Sequence, residues 1–453
     1  MPTNMNPKLL LSLFGAVLLA ALDIAILGPI LPAFREQYQI SLAVSSWIVT
    51  IYVLANLVGT SLLGALADRR GQKQSFSLSL GLMTLGTLVI ALEPSFPVLL
   101  TARALQGFGA GGLFPIAASV IGLQVPAQRQ GRMLGLLGAT FGIAFLIGPP
   151  AAGLVQSFAH WTWIFWCQLP FLLTFLALAT SQIPSDKRHQ AEKLDFPGLM
   201  AFSAGLTFLA LGFSRLSATN PWLGLLEPLT CASLAIGTAS LVGFVFWETR
   251  SPSPFIHPGL FTPPALRRAF LLALAAGLGE MGVALLPDLA VETLGATKSS
   301  ASLLLGPLVI GIILGSLASG RLLERTGPRP LLVAGLIAQG SALTAFGLAP
   351  ASRELFWLAG PLFGAGLSCL LAGPLRWIVL RASPSEHRTA AQSQLSVSIL
   401  VGQITAAPLM GALAGIRLWG NPQLHFLFAG AASFGFVLVA LGLPRHFPVP
   451  PAA

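Results

Sequence analysis

Three ionisable side chains lie deep inside apolar sequence: Asp23, about fourteen residues into the run 9–33; Arg103, about seven into 96–122; and Glu280, about eleven into 269–290. A charge exposed to hydrocarbon is expensive, so each must face protein or a water-filled interior. A carboxyl group so held can take up and release a proton, whereas a guanidinium stays protonated. Asp23 and Glu280 are therefore candidate proton carriers, and Arg103 a partner that stabilises a carboxylate or hydrogen-bonds a broken helix. The simpler alternatives are a structural anion tying two helices together at Asp23 and a position nearer the interface for Glu280.

A second constellation is repeated. GALADRRGQK, Gly64 to Lys73, and GRLLERTGPR, Gly320 to Arg329, share a Gly, an acid four residues on, an Arg beside the acid, and a Gly three beyond it. Gly71 and Gly327 permit tight reversals. Asp68 and Glu324 can accept hydrogen bonds from arginines such as Arg69 or from helix-end N–H groups. A contact of this kind makes and breaks as a gate; the alternative is a basic surface loop with a solvated acid. Around Arg103, RALQGFGAGG supplies small residues for close helix approach and Gln106 for a hydrogen bond within that contact. It lacks the strand and GK[ST] ending of a phosphate-cradling loop. In FGIAFLIGPPAAG, Gly142, Gly148, Pro149, Pro150 and Gly153 would end a helix in water. In a bilayer the helix continues through them, as a hinge or packing seam.

The elements that must hold these residues follow from composition. The 453 residues are 55% hydrophobic and 9% charged, with a mean hydropathy of +0.80, against about a quarter charged in soluble domains. The chain reads as fourteen bilayer spans, near 9–33, 45–67, 75–92, 96–122, 133–157, 161–180, 195–214, 225–247, 269–290, 299–320, 330–349, 353–378, 390–415 and 423–443. With the amino terminus cytoplasmic, nineteen basic residues fall on the inward side: Lys8, Arg69, Arg70, Lys73, Arg129, Arg132, Lys187, Arg188, Lys193, Arg250, Arg267, Arg268, Arg321, Arg325, Arg329, Arg376, Arg381, Arg388 and Arg445. Only Arg35, Arg215, Lys298, Arg353 and Arg417 fall outside. That bias sets both termini in the cytoplasm, and makes the net charge of +10 a topology signal rather than a nucleic-acid footprint. The first run, too long for a signal-peptide core and carrying Asp23, is expected to stay as the first helix. Cys167, Cys231 and Cys369 lack metal-ligand spacing. No metal site, cofactor or catalytic triad is expected, and the protein is not an enzyme.

The two loop motifs are 256 residues apart, FGAG recurs at 108–111 and 363–366, and the loop at Pro126 and Arg129 has a counterpart at Pro384 and Arg388. An all-α polytopic membrane protein results: two pseudo-symmetric six-helix bundles, 1–180 and 269–453, with a central helix pair and linkers at 181–268. Related bundles that rock about a central site expose it to alternate sides. Trp47, Tyr52, Gln106 and Phe108 are candidates for lining that cavity; packing at helix interfaces is the competing role for the aromatic ones.

With these motifs in order, the sequence resembles the major facilitator superfamily, in particular its fourteen-span drug/proton antiporter branch. LDIAILGPILP carries the branch's first-helix acid onto Asp23, and SSWIVTIYVLA resembles its second-helix entrance. GALADRRGQK matches the loop after the second helix, RALQGFGAGG the fourth-helix motif with its coupling arginine at Arg103, GIAFLIGPPAAG the antiporter motif of the fifth helix, and WTWIFWCQLP the opening of the sixth. The sequence departs at Ala152, and at Thr162 and Gln168, where the branch commonly has glycine, arginine and asparagine. The resemblance implies a monomer in the bacterial cytoplasmic (inner) membrane that exports hydrophobic or amphipathic small molecules in exchange for protons. An exporter of one endogenous metabolite, sugar, siderophore or lipid would use nearly the same machinery.

Overall fold

The computed structural model describes residues 6–184, 195–218, 224, 226–251, 254, 258–295, 305–348, 352–415 and 424–444; Lys187, Arg188, Lys193, Lys298, Arg417 and Arg445 lie outside them. The regular structure described is helical: α1 Pro7–Ala25, α2 Leu27–Tyr38, α3 Leu42–Arg70, α4 Gln72–Ala91, α5 Phe96–Gln124, α6 Gln130–Phe158, α7 Thr162–Gln182, α8 Phe196–Ala218, α9 Pro228–Glu248, α10 Pro264–Leu294, α11 Gly306–Thr326, α12 Pro328–Leu348, α13 Arg353–Leu371, α14 Gly373–Ala382, α15 Arg388–Gly415 and α16 Leu424–Leu441. Ten helical stretches among the described residues are long and apolar enough to cross a membrane.

Proline chemistry decides where these helices break. The first predicted span is two helices meeting at Ile26. Pro29 lacks the N–H that would reach the carbonyl of Ala25, and its ring crowds that carbonyl, so α1 ends there. The predicted span 353–378 is likewise divided at Ala372, two residues before Pro374, and resumes as α14. By contrast α6 runs unbroken through Pro149 and Pro150.

The chain divides into two compact units. The first holds Met1–Pro126, Thr140–Lys193 and Pro384–Ser393. Here α3 and α5 meet along glycines: a methyl at Gly111 would lie 2.6 Å from the Thr60 nitrogen, and one at Gly107 would strike the Tyr52 backbone. Thr60 Oγ1 donates to the Gly111 carbonyl at 3.1 Å across that seam. Phe34 packs edge-on to Trp161, 4.6 Å between centroids, within a core that includes Ile30, Ile48, Ile90 and Leu99.

The second unit holds Ala127–Ala139, Leu194–Ser383 and Gln394–Ala453. It reuses the same device where FGAG recurs. Gly315 of α11 lies against Ala365, and Gly364 of α13 sits 2.8 Å from the Ile312 nitrogen by the same measure. Phe346, Phe356, Phe363 and Phe426 fill its core. Helices α8 and α9 pack on one another, with Gly205 against Leu241, Gly212 against Leu234 and Gly237 against Leu209.

Each unit also contains a helical hairpin joined by one residue. Gly71 (φ 96°) links α3 to α4, and Gly327 (φ 75°) links α11 to α12. A side chain is strained at those angles, which accounts for glycine at both. The glycine seam predicts a contrast measurable by thermal unfolding in detergent. Gly111→Leu is expected to destabilise the protein by about 1–3 kcal/mol through overpacking. Gly81→Ala in α4, where an added methyl meets nothing within 4 Å, is expected to hold or raise the melting temperature.

Candidate functional site: a buried ion pair and two helix-end acids

Asp23 of α1 and Arg103 of α5 are both 0% exposed and form an ion pair, Arg103 Nη1 donating to Asp23 Oδ2 at 2.8 Å. Gln106, one turn along α5, completes the arrangement. Its Nε2 donates to Asp23 Oδ1 and to Thr87 Oγ1 of α4, each at 2.9 Å, while its Oε1 accepts from Arg103 Nη1 at 2.5 Å. The guanidinium lies 4.3 Å from the centre of the Tyr52 ring, and its Nε donates to the Ile48 carbonyl at 3.5 Å. Three sequence-selected residues, Asp23, Arg103 and Gln106, are thus joined directly, and Tyr52 serves as the face on which the arginine rests. Arg103 Nη2 and the Tyr52 hydroxyl are buried and have no hydrogen-bond partner among the described residues. Phe108 is half-buried with its carbonyl against Gly59, and Trp47 is 43% exposed.

The spacing that builds this network is simple. Residues three apart share a helix face, so Arg103 and Gln106 present two side chains to one carboxylate. Small neighbours on α5 admit α3 close enough for Ile48 and Tyr52 to contribute. Thr87 was not singled out from the sequence; its signal was a hydroxyl in an apolar span, which also fits a side chain bonded to its own helix.

Glu280 of α10 is half-buried and accepts from Gln403 Nε2 of α15 at 2.5 Å. Gln403 is a further residue that sequence reasoning missed. Arg376, grouped above with inward loop charges, is instead buried in α14, where Nη2 donates to Ser396 Oγ at 3.0 Å. The cause is the restart of the helix after Ala372, with Pro374 in its first turn, which carries that arginine into the packed unit.

The acids of the repeated loops hold helix beginnings. Within the first unit Asp68 accepts from the backbone N–H groups of Thr389 at 3.0 Å and Ala390 at 2.6 Å, in the first turn of α15. Thr389 Oγ1 reaches Ser119 Oγ, which also accepts from Gln72 Nε2. Within the second unit Glu324 accepts from the Arg132 N–H at 3.1 Å, in the first turn of α6. These N–H groups have no acceptor inside their own helix, and the helix dipole adds to the attraction. Asp68 and the adjacent Arg69 are half-buried and Glu324 is exposed.

In the proline-containing stretch of α6, Gly142 is buried and Gly148 faces α1: a methyl there would lie 3.0 Å from Ala25 Cβ and 3.4 Å from Leu22 Cδ2. Pro149 is half-buried and Pro150 exposed. Gly153 is exposed and an added methyl would meet nothing, so the seam is confined to the earlier glycines.

Apolar helices around a buried acid and arginine define a polytopic α-helical membrane protein with a polar network in its interior. The chain belongs to the Major Facilitator Superfamily, whose sequence model matches residues 13–262 and 269–453, and it is accordingly a non-enzymatic membrane transporter. It is 29% identical over 439 residues to the uncharacterized MFS-type transporter YfiU of Bacillus subtilis, covering 95% of this chain and 81% of that protein. It is 30% identical over 413 residues to the puromycin resistance protein pur8 of Streptomyces alboniger, covering 88% and 80%. A longer uncharacterized MFS-type transporter of Mycobacterium tuberculosis is 28% identical over 420 residues, 91% of this chain and 60% of that protein. Its fold is similar to the crystal structure of the human organic anion transporter MFSD10 (TETRAN), with a TM-score of 0.73, 16% identity, and coverage of 97% of this chain and 100% of that one.

The ion pair predicts an asymmetric response to substitution. Arg103→Leu, which strands the Asp23 carboxylate, is expected to cost about 3–5 kcal/mol of stability, and adding Asp23→Leu to recover part of it. Thermal unfolding of the single and double variants in detergent measures this; a double variant less stable than the single one would count against the pairing.

Proposed function

We propose that the protein is a proton-coupled antiporter of the fourteen-span drug/proton branch, exporting hydrophobic or amphipathic small molecules across the bacterial cytoplasmic membrane by alternating access. The observation that carries this reading is the Asp23–Arg103–Gln106 network, a titratable acid held wholly away from solvent against a permanent cation. The antiporter-type glycine of α6 adds support, since Gly148 packs on Ala25, two residues from Asp23. So does the naming of a relative for puromycin resistance. In this reading the bundles are 1–180 and 269–453, the pair α8 and α9 is the insertion between them, both termini are cytoplasmic, and a monomer suffices.

Substrate enters an inward-open cavity; Asp23 takes a proton from the outside and releases one to the cytoplasm. Protonation removes the charge that binds Arg103, yet the arginine keeps the Gln106 oxygen, the Ile48 carbonyl and the Tyr52 ring. The change therefore falls on the link between α1 and α5 rather than on the position of the guanidinium. Proton and substrate then alter each other's affinity reciprocally. Glu280 provides a second protonatable acid, while Asp68 and Glu324 release the first turns of α15 and α6 as the inner side opens.

Proteoliposomes loaded with a panel of amphipathic drugs under an imposed pH gradient test the coupling. Drug exit is expected to bring protons in, to be abolished by Asp23→Asn and to be reduced by Glu280→Gln. If both variants leave flux and its proton dependence unchanged, the assignment fails; flux restricted to one endogenous metabolite favours the narrower exporter. Gly148→Leu, whose side chain must displace Ala25 and Leu22, is expected to insert normally but to lose gradient-driven efflux. Unchanged transport would sink that role for the glycine.

A further inference from the structure

Two polar groups beside the buried ion pair are left over, and they belong to one contact. Arg103 Nη2 and the Tyr52 hydroxyl are buried, Tyr52 at 1% exposure, and neither has a hydrogen-bond partner among the described residues. The guanidinium that carries the first lies 4.3 Å from the centre of the ring that carries the second. Asp23 and Arg103 both stand within electrostatic reach of the hydroxyl. The other of the chain's two tyrosines is the contrast: half-buried Tyr38 donates to the Pro94 carbonyl at 2.8 Å.

A need for an aromatic face does not account for Tyr52. Phenylalanine offers a cation the same kind of face, and a buried hydroxyl left unbonded costs about 1–3 kcal/mol. An N–H donor and a hydroxyl at one contact are the partners by which a buried water is held. In the planar fork Nη2 stands beside Nη1, and Nη1 carries the Asp23 carboxylate. A water accepting from Nη2 is thereby placed next to the acid.

The acid needs such a neighbour. Asp23 is 0% exposed, so a proton reaches it through bonded groups rather than directly from bulk water. Of the groups joined to it, the Arg103 guanidinium keeps its protons and Gln106 offers an amide. Thr87 of α4 accepts from Gln106 and donates to the Met83 carbonyl at 2.9 Å, turned back on its own helix. The charged groups facing Tyr52 are thus Asp23 of α1 and Arg103 of α5, and the Tyr52 hydroxyl, on α3, is the one at this network without a fixed partner.

We infer that Arg103 Nη2 and the Tyr52 hydroxyl seat an ordered water, and that this hydroxyl and water carry the proton to and from Asp23. A hydronium ion of the bulk water gives a proton to Tyr52 Oη. The tyrosine's own proton passes to the seated water, and a proton of that water to a lone pair of the Asp23 carboxylate. One O–H bond breaks at each donor as one forms at each acceptor. The hydronium becomes water, Asp23 ends neutral, Tyr52 and the seated water are unchanged, and deprotonation is the reverse. This rests on the protonation of Asp23 in the antiport reading above and adds the path of the proton.

Tyr52→Phe keeps the ring and deletes the hydroxyl. The test is a jump to acid pH on purified full-length protein in lipid nanodiscs, with proton uptake followed by pyranine and the Asp23 phase identified by its loss in Asp23→Asn. Tyr52→Phe is expected to take up the same number of protons about tenfold more slowly, as for removal of a positioned proton-transfer group, with its melting temperature held or raised. A merely structural tyrosine would change the amplitude or lower the melting temperature; either result, or an unchanged rate, overturns the inference. The water is read separately by X-ray radiolytic labelling, in which radicals formed from a bound water mark the side chain beside it. Tyr52 is expected to be labelled as fast as Tyr38, and labelling far below Tyr38 overturns the seat. A wild type without an Asp23 phase sinks the inference together with the proton role of Asp23. A Tyr52-dependent phase with no proton movement during drug efflux sinks the antiport reading alone.

Discussion

A charge inside a membrane protein has no water to fall back on, and the packing around Arg103 answers that constraint. Its guanidinium meets a carboxylate from α1, an amide from its own helix, and a carbonyl and an aromatic face from α3, which engage Nη1, Nε and its planar face but not Nη2. Those groups converge only if three helices approach closely, which is why glycines line the seam between α3 and α5. Thr87, by accepting from Gln106, extends the same demand to α4. The polar network and the glycine seam are thus one arrangement: either without the other would leave unpaired charge or an unfilled gap.

The two units share construction but not electrostatics. Both use glycine-lined helix contacts, single-glycine hairpins and an acid that holds the first turn of another helix. The acids within the spans diverge: Asp23 is neutralised by an arginine, and Glu280 by no cation among the described residues. Duplicated architecture thus carries unequal charge, one acid set against an arginine and the other beside a neutral amide.

Much of this was legible before any coordinates. Asp23 and Arg103 announce themselves because charges in apolar runs have few tolerable environments, and the repeated Gly–acid–Arg–Gly pattern marks Gly71 and Gly327 as turns. Partner choice was not legible. Gln403 lies 123 residues from Glu280, and nothing in a one-dimensional pattern says which amide in which span meets which acid. Thr87 is visible only as a polar interruption, which a side chain bonded to its own helix also produces. Helix breaks were legible in part: Pro29 and Pro374 end helices while Pro149 and Pro150 do not, because the outcome depends on what neighbouring helices supply to the freed carbonyls. Arg376 was misread for a related reason, since the resumption of helix after Ala372 is a property of the packed unit.

The one-residue connections at Gly71 and Gly327 carry a mechanical consequence. A loop of several residues absorbs displacement as a slack hinge; a bend of one residue, fixed at an angle few other residues adopt, has no play. Whatever pulls on the C-terminal end of α3 through Asp68 is handed on to α4, and the same holds for α11 and α12 through Glu324. Each hairpin behaves as a stiff crank whose handle is an acidic side chain, and lengthening the bend by even a few flexible residues would uncouple handle from shaft while sparing the bonds that the acids themselves accept.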